Sequence, residues 1–316
     1  MTVDLRAVTA ADLEEVHRVN RRVEQHDAIP IVTPLEEFVD WLDDPRLDLA
    51  RDTRAAVVNE TIVGFGRVWH RPSGEREERA FLVGAVDPDF RRRGIGFTIM
   101  EWLLGRAREL LEGAPNQLPR YVRTSAYDFE LSALRLYQRF GMVPVRYHDQ
   151  LLRDLVELPE VEIPDGVEVV GWDPTRSEDA RIAVNQAFAD HWGSTPRDRE
   201  SWQHDLTGFG VRLDLSYLAI DHDQVVGVCR NSHYPSDQAV TGRLDGWVDQ
   251  LGVVRSHRQR RVASALIVAS LHAFRKAGFT HSALGVDSEN PTGAYRVYER
   301  LGFRPMHRSV LHQLQL

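Results

Sequence analysis

The stretch FLVGAVDPDFRRRGIGFTIMEWL, residues 81–103, joins an apolar strand to a helix through a short basic turn. A second version of this pattern, VDQLGVVRSHRQRRVASALIVASL, lies at residues 248–271. Aligning Arg91 with Arg258 gives an offset of 258 − 91 = 167, which is about half of the 316-residue chain. Because a repeat of this length is a whole domain rather than a single element, the sequence predicts two similar α/β domains.

The other elements repeat in the same order. The hairpin AAVVNETIVGFGR at 55–67 matches LAIDHDQVVGVCR at 218–230. Near the end of each copy, SALRLYQRFGM at 132–142 matches TGAYRVYERLGF at 292–303. Each copy also opens with a strand and an amphipathic helix. All four elements therefore keep the same order in the two copies.

A connection rich in proline and acidic residues, LRDLVELPEVEIPDG at 152–166, separates the two copies. We therefore predict an N-terminal domain at residues 1–155 and a C-terminal domain at residues 166–316. Each is long enough to bury its own hydrophobic core.

The composition disfavours several classes of function. A formal net charge of −8 argues against a nucleic-acid-binding protein, since such proteins are usually basic. Cys229 is the only cysteine, which excludes an intrachain disulfide and a multi-cysteine metal site, and its apolar neighbours indicate a packed, inert thiol. There is no HExxH pair and no apolar run long enough to cross a bilayer. We expect no metal, no membrane partner and a cytoplasmic location.

The basic turn R-x-x-G-x-G after a strand, followed by a late A-x-R-x-Y-x-x-x-G-[FM], resembles the GCN5-related N-acetyltransferase (GNAT) superfamily. In both halves the similarity covers most of the domain. The tandem arrangement and the total length resemble the two-domain, mycothiol synthase-like members. The resemblance implies two tandem GNAT-like domains, each a mixed central β-sheet flanked by α-helices. It also implies acetyl-CoA, or another acyl-CoA, as co-substrate.

The first domain keeps the loop pattern of the family intact. A helix N-terminus offers unpaired amides and a positive dipole end to the pyrophosphate of coenzyme A, and glycines allow a close approach of the backbone. A solvated basic turn is the alternative interpretation. The cofactor-binding residues that the resemblance implies here are Val86, Arg91, Arg92, Arg93, Gly94, Ile95 and Gly96.

The second loop, HRQRRVASAL at 257–266, has Arg261 in place of the first glycine and Ala263 in place of the last one. An arginine costs nothing there at a negative φ, whereas a required positive φ would count against it. We expect retained binding, and a closed site is the alternative. The implied cofactor-binding residues are Leu251, Val253, Arg258, Gln259, Arg260, Arg261, Val262, Ala263 and Ser264.

The late motif supplies a proton donor. When an amine attacks a thioester the leaving group is a thiolate, which a phenol can protonate. The resemblance assigns this role to Tyr298 and to its counterpart Tyr137, and a packed helix tyrosine is the alternative for each. Asn290, in an Asn-Pro pair, is expected to reach the coenzyme. The first domain has Phe129 and Glu130 in place of that pair.

The reaction also needs a base, because an alkylammonium has no free lone pair until it loses a proton. The usual family glutamate position falls on Trp247 and, in the first domain, on Ala80, and neither side chain accepts a proton. Strand alternation places Asp245 and Asp249 on the face of Trp247. Asp249 lies nearer the expected thioester and is the predicted base, with a solvated or ion-paired aspartate as the alternative. Leu82 is expected at the matching place in the first domain.

We therefore predict transfer of an acetyl or related acyl group from coenzyme A to a primary amine of a small molecule, by direct attack and in the second domain. Two alternatives stay open: a non-catalytic acyl-CoA binding or sensing protein, and catalysis in the first domain. His191, Trp192 and Trp202 are candidates for an acceptor pocket, although core packing explains the tryptophans equally well. The expected assembly is a monomer or a homodimer.

Overall fold

The computed structural model describes residues 2–42, 44, 47–71, 76–289 and 293–316. Contacts divide the chain into two compact units. The first unit contains Met1–Tyr147 and Ser309–Leu316, and the second contains His148–Arg308.

The first unit is a mixed sheet with helices on both faces. Its strands are β1 (Asp4–Arg6), β2 (Thr53–Val58), β3 (Thr61–Arg71), β4 (Glu78–Val86), β5 (Arg120–Tyr127) and the end of β12 (Arg304–Gln315), which lie side by side in that order. Neighbouring strands are antiparallel except for the parallel pair β4 and β5. Its helices are α1 (Leu13–His26), α2 (Leu35–Asp40), α3 (Leu49–Asp52), α4 (Ile95–Glu112) and α5 (Leu131–Arg139). Ile99 and Leu103 of α4 pack on one face of the sheet, and Val16 and Val19 of α1 belong to a second core.

The second unit repeats this plan. Its strands, in spatial order, are the end of β6 (Val143–Asp154), β11 (His281–Asp287), β10 (Asp245–Val253), β9 (Gln224–His233), β8 (Tyr217–Asp221) and β7 (Glu168–Gly171). Here β10 and β11 form the parallel pair. Its helices are α6 (Ser177–Phe188), α7 (Arg199–Thr207), α8 (Gln238–Thr241), α9 (Val262–Lys276) and α10 (Ala294–Arg300). The predicted α/β class, with a mixed sheet flanked by helices in each half, is confirmed.

The repeat extends to details of the backbone. In the hairpin turns at 59–60 and 222–223 both residues are left-handed, with φ of 47° and 65° in the first and 45° and 65° in the second. Such a pair defines the type I′ turn, whose twist matches that of the flanking strands. The pairing of the two hairpin strands also shifts at the same place in both units, at 56–57 and at 219–220. The two halves therefore share their local backbone geometry as well as their order of elements.

Glycines in the sheets let the long helices pack closely. A Cβ added at Gly66 would lie 2.8 Å from a methyl carbon of Ile99 in α4, and one at Gly246 would lie 2.6 Å from the ring of Phe274 in α9. Both distances are shorter than van der Waals contact. The missing side chains thus set the separation of helix and sheet, and with it the position of each helix start.

Each sheet is completed by a strand from the other half of the sequence. In the first unit, residues 309–315 of β12 pair with β5. The buried Arg123 of β5 supports this pairing, since its Nε donates to Oε1 of Gln313 at 2.8 Å. In the second unit, residues 148–154 of β6 pair with β11.

The predicted domain bounds of 1–155 and 166–316 follow the sequence repeat, whereas the compact units follow these strand pairings. We keep those bounds as a proposal. Within the described parts of the chain, no helix combines the length and the apolar character that crossing a bilayer requires.

The strand exchange makes the first unit depend on the last residues of the chain. Val310, which is 7% exposed, pairs with Ala126 of β5. We expect Val310→Asp to lower the free energy of unfolding by about 3 kcal/mol, because it buries an unpaired charge. Hydrogen exchange followed by mass spectrometry should show faster exchange in residues 120–127. Ser309→Ala is the matched control, and unchanged exchange in β5 of V310D would contradict the dependence.

Candidate active site

The loop before α4 has two left-handed residues, Arg92 with φ of 62° and Gly94 with φ of 85°. A glycine adopts this conformation without the steric cost of a Cβ. The turn ends at Gly94, which is the N-cap of α4. The amides of the first turn, beginning at Ile95, have no carbonyl partner within the helix. They form the set of main-chain donors that a pyrophosphate would accept from.

The loop before α9 has the same backbone without the glycine. Gln259 and Arg261 have φ of 61° and 65°, at the positions that correspond to Arg92 and Gly94. The condition under which an arginine would cost nothing, a negative φ, is therefore not met. An L-residue in this region costs roughly 1–2 kcal/mol, yet the loop keeps its shape and α9 begins directly after Arg261. Ala263 replaces Gly96 easily, because a Cβ there meets only ordinary contacts.

The first arginine of each loop braces the backbone. Arg91 donates from Nε to the carbonyl oxygen of Val86, the last residue of β4, at 3.2 Å, and binds the carboxylate of Asp27 through two bonds of 2.7 and 2.6 Å. Arg258 donates from Nε to the carbonyl oxygen of Val253 at 3.3 Å and from Nη2 to that of Ala187 at 2.8 Å. Each arginine thus joins the end of a central strand to the end of the first long helix of its unit.

The other loop arginines differ between the units. Arg92 and Arg93 are exposed, and Arg93 donates to the carbonyl oxygen of Asp89 at 3.0 Å. In the second unit Arg260 donates to the carbonyl oxygen of Asp165 at 3.1 Å. Arg261 pairs with Glu162 at 2.5 Å, with both side chains about three-quarters exposed. The Arg261 side chain therefore points away from the loop toward the acidic connection.

A cavity of about 760 Å³ opens beside the first loop. Its walls come from the end of β4, the start of α4 and helix α5. Arg135 and Arg139 of α5 add positive charge to that wall. The predicted site residues that line it are Val86, Arg91, Arg92, Gly94, Gly96 and Tyr137.

Tyr137 is partly buried at this cavity. Its hydroxyl donates to the carbonyl oxygen of Ser125 at 3.4 Å, and its ring lies 5.4 Å from the ring of His312. Burial raises the pKa of the phenol to about 12, with a smaller contribution from the charge of Glu130. The phenol is therefore protonated at neutral pH, as a proton donor has to be.

Glu130 lines the cavity but was not among the predicted site residues. It follows β5 at the start of α5, and its carboxylate accepts a hydrogen bond from the amide of Tyr127 at 2.7 Å. Burial raises its pKa above the usual value, and the charge of Asp27 adds to this effect. Its place in the sequence, where the family has a proline, does not indicate that it lines a cavity. Only the folded chain brings it there.

Asp249 of the second unit is the extra residue of a β-bulge. Val248 pairs with Asn231 and Gln250 with Arg230, so Asp249 has no partner across the ladder. Bulges of this kind redirect a side chain and often lie beside active sites. The Asp249 carboxylate accepts hydrogen bonds from two hydroxyl groups, those of Ser232 and Tyr234, the latter at 3.4 Å.

Because of the bulge, β10 and β4 match differently in the structure than in the sequence comparison. In the first unit the β3–β4 ladder runs without a shift from Gly64 and Val86 to Arg71 and Arg79. The pairing with neighbouring strands then equates Trp247 with Phe81 and Val248 with Leu82. The predicted matches of Trp247 with Ala80, and of Asp249 with Leu82, are therefore displaced by one residue. Asp249 is an insertion without a counterpart on β4.

The environment of Asp249 sets its basicity. The residue reaches solvent, but protein surrounds most of its carboxyl group. This desolvation raises its pKa, and the Ser232 hydroxyl, Arg230 and Tyr234 act in the opposite direction by favouring the charged form. Ser232 faces Trp247 across the ladder, so the carboxylate lies on the strand face where alternation had placed it.

Tyr298 of α10 is 7% exposed and packs with Phe303, at 6.2 Å between ring centroids. Burial raises the pKa of its phenol well above the usual value, and the Cys229 thiol adds to the shift. Cys229 itself is a buried core residue, as predicted, with a pKa that burial raises to about 12. Asn290 lies outside the described residues.

The aromatic residues predicted for an acceptor pocket lie in different surroundings. Trp202 is 1% exposed in the hydrophobic core, where its Nε1 donates to the hydroxyl of Ser177 at 3.0 Å. His191 packs on Phe188 just after α6, with 5.5 Å between ring centroids. Trp202 is thus a core residue, and the side chains that adjoin Asp249 are Ser232 and Tyr234.

The sequence profile of the acetyltransferase (GNAT) family matches residues 16–142 and 178–303. The chain belongs to the GNAT family. Its tandem arrangement and its class as an N-acetyltransferase are thereby confirmed.

Known proteins similar to this GNAT chain cover most of its length. The mycothiol acetyltransferase of Saccharopolyspora erythraea is 32% identical over 247 residues, 74% of this chain and 77% of the relative. That of Actinosynnema mirum is 28% identical over 321 residues, 98% of this chain and 99% of the relative. The crystal structure of a GCN5-related N-acetyltransferase from Sphaerobacter thermophilus has a TM-score of 0.77 at 26% identity, and the match covers 99% of this chain and 95% of that one.

The left-handed conformation of Gly94 can be tested by measuring what a side chain at this position costs in stability. A Cβ at Gly94 meets no atom within 4 Å, so Gly94→Ala changes only the backbone energy. We expect it to lower the free energy of unfolding by about 1 kcal/mol, measured by urea denaturation. Gly105 of α4 has equally open surroundings, and Gly105→Ala should instead raise stability by about 0.5–1 kcal/mol. A stabilising G94A would contradict the left-handed loop.

Proposed function

We propose that this GNAT enzyme transfers an acetyl group from acetyl-CoA to a primary amine of a small molecule, and that its second unit performs the chemistry. The observation that carries the proposal is the carboxylate of Asp249, on a strand bulge that β4 of the first unit lacks. It belongs to the same unit as Tyr298. The first unit would bind coenzyme A in its cavity without turning it over.

The proposed reaction needs one ionised side chain as the base and one neutral side chain as the acid. Asp249, ionised, would take a proton from the substrate ammonium, directly or through one water molecule, and so free the nitrogen lone pair. Tyr298, a neutral phenol whose pKa burial raises further, would give a proton to the departing sulfur. Direct attack of the amine needs no covalent intermediate on the enzyme, in keeping with the buried, inert Cys229.

The main-chain amides at the end of each loop could donate hydrogen bonds to the pyrophosphate of acetyl-CoA. Each loop leads into a long helix whose first amides are unpaired, and a pyrophosphate accepts hydrogen bonds from such amides. Arg92 would add charge in the first unit, and Gln259 stands at its place in the second. Arg91 and Arg258 would support the loops rather than contact the phosphates, since their guanidinium groups already bind the protein.

One observation favours catalysis in the first unit as a second candidate. Its cavity holds a phenol, that of Tyr137, together with the carboxyl group of Glu130. There Glu130 would take the role of base. The two assignments place the essential tyrosine in different units, so substitution can distinguish them.

The acceptor is proposed from the relatives. Because proteins of 28% and 32% identity carry the name mycothiol acetyltransferase, mycothiol lacking its acetyl group is the first amine to test. A panel with an amino sugar, an aminoglycoside and a peptide amine extends the test. Acetyl-CoA that binds but is not consumed with any member would support the acyl-CoA sensor instead.

Substitution of the acid and base tests the catalytic unit. We expect Asp249→Asn and Tyr298→Phe each to lower kcat about 10²-fold, because each removes one proton transfer. Turnover is measured as the release of free thiol from acetyl-CoA with the best amine of the panel. Tyr295→Phe, in the same helix as Tyr298, is the matched control and should change kcat less than twofold. Loss of turnover in Tyr137→Phe, with Y298F still active, would place catalysis in the first unit.

Charge substitution tests the two cofactor loops. Calorimetric titration of the full chain with coenzyme A should give two sites. Arg92→Glu should weaken one and Gln259→Glu the other, each about tenfold, because a carboxylate is placed beside the pyrophosphate. Arg51→Glu, at an exposed position of α3, is the control. Two sites that neither loop variant weakens would contradict the assignment of both loops.

A further inference from the structure

The bulge that carries Asp249 also brings two hydroxyl side chains to its carboxylate. We infer that Ser232 and Tyr234 are positioning residues that fix one oxygen of Asp249 and keep the other free to accept the proton of the amine. This inference rests on the proposed role of Asp249 as the base. Neither residue belongs to the sequence motifs of the loops or of the late helix.

Both hydroxyl groups bind the same oxygen, Oδ2 of Asp249. Among the residues that the structure describes, no donor reaches Oδ1. A carboxylate held in this way cannot rotate freely, and its second oxygen has unused acceptor capacity. Proton acceptance by a group of fixed orientation is what an efficient general base requires.

The two positioning residues are themselves held firmly. Ser232 of β9 is fully buried and pairs with Trp247 across the ladder. Tyr234, just beyond β9, packs its ring against Phe209 at 6.4 Å and edge-on against Trp247 at 6.3 Å. A Cβ at Gly210 would lie 2.9 Å from the Tyr234 ring, so this glycine permits the close packing.

The surroundings give these hydrogen bonds a chemical effect. The other titratable or charged groups that act on the Asp249 carboxyl are Arg230 and Cys229, both on β9. The Arg230 guanidinium donates to the carbonyl oxygen of Asp205 on α7 at 2.8 Å, which fixes the position of its charge. Hydrogen bonds from neutral hydroxyls stabilise the ionised carboxyl against the desolvation that opposes it. Removing a donor should therefore raise the pKa of Asp249.

The test measures that pKa directly. In the full chain labelled with ¹³C at the aspartate side-chain carboxyl carbon, NMR titration gives the Asp249 resonance, assigned by its absence in Asp249→Asn. We expect Ser232→Ala to raise the midpoint by about one pH unit. Tyr234→Phe, which loses the longer bond, should raise it less, and Ser232→Thr should restore it. Ser282→Ala is the control: Ser282 is also fully buried, on the neighbouring β11, and its hydroxyl has no hydrogen-bond partner among the described residues.

The same variants have a kinetic counterpart. Because the base must be ionised, the acidic limb of the pH profile of kcat/KM should move to higher pH in S232A and Y234F by the shifts seen in the titration. Unchanged midpoints in both variants would overturn the inference, even if Asp249→Asn abolishes activity. Shifted midpoints in a protein that acetylates no amine would support the positioning and contradict the proposed catalysis, so the two failures are distinct.

Discussion

The main chain ahead of the long helix of each unit must turn through two left-handed residues, and the proposed cofactor site depends on this turn. The first loop meets the requirement with Gly94 at the helix N-cap, and the second meets it with Arg261 at the same φ. Because an arginine gains nothing from this conformation, something else must impose it. The braces made by Arg91 and Arg258, which tie the loop to the last strand residue, occur in both units. The arginine thus fixes the loop to the strand at one end, and the helix fixes it at the other. The loop amides therefore point the same way with a glycine or with an arginine before the helix.

One inserted residue separates the roles of the two units. The ladder of β4 is continuous, while β10 accommodates Asp249 as a bulge between Val248 and Gln250. Without that residue the second strand would present Val248 and Gln250 at the places of Leu82 and Val83, and no carboxylate would project there. The first unit instead has an open cavity, with the phenol of Tyr137 and the carboxyl of Glu130 on its walls. Such a local difference between two otherwise similar units is enough to concentrate the proposed chemistry in one of them.

The sequence predicts what is local in this fold. Strand, turn and helix follow from periodicity and turn residues, so the repeat, the starts of α4 and α9 and the tandem α/β class could be predicted. The exchange of β12 and β6 could not, because pairing between residues 309–315 and 121–127 leaves no periodic trace in either segment. The bulge could not be predicted either. Counting residues along the sequence assumes that both strands are continuous, so it paired Trp247 with Ala80, whereas the ladders pair it with Phe81. Partners such as Asp27 for Arg91, or Ser232 for Asp249, lie on different elements and appear only when the chain is folded.

The acid and the base of the proposed reaction respond differently to the same interior. Burial favours the neutral form of any acidic side chain, so it suits Tyr298, whose task is to arrive protonated, and it opposes Asp249, whose task is to arrive ionised. Desolvation of both groups therefore requires compensation at the carboxylate but not at the phenol. The hydroxyl groups of Ser232 and Tyr234 provide it at a single oxygen, and the charge of Arg230 adds to it. The carboxylate can then be ionised while the phenol stays neutral, although both lie within one unit and share Cys229 as a neighbour.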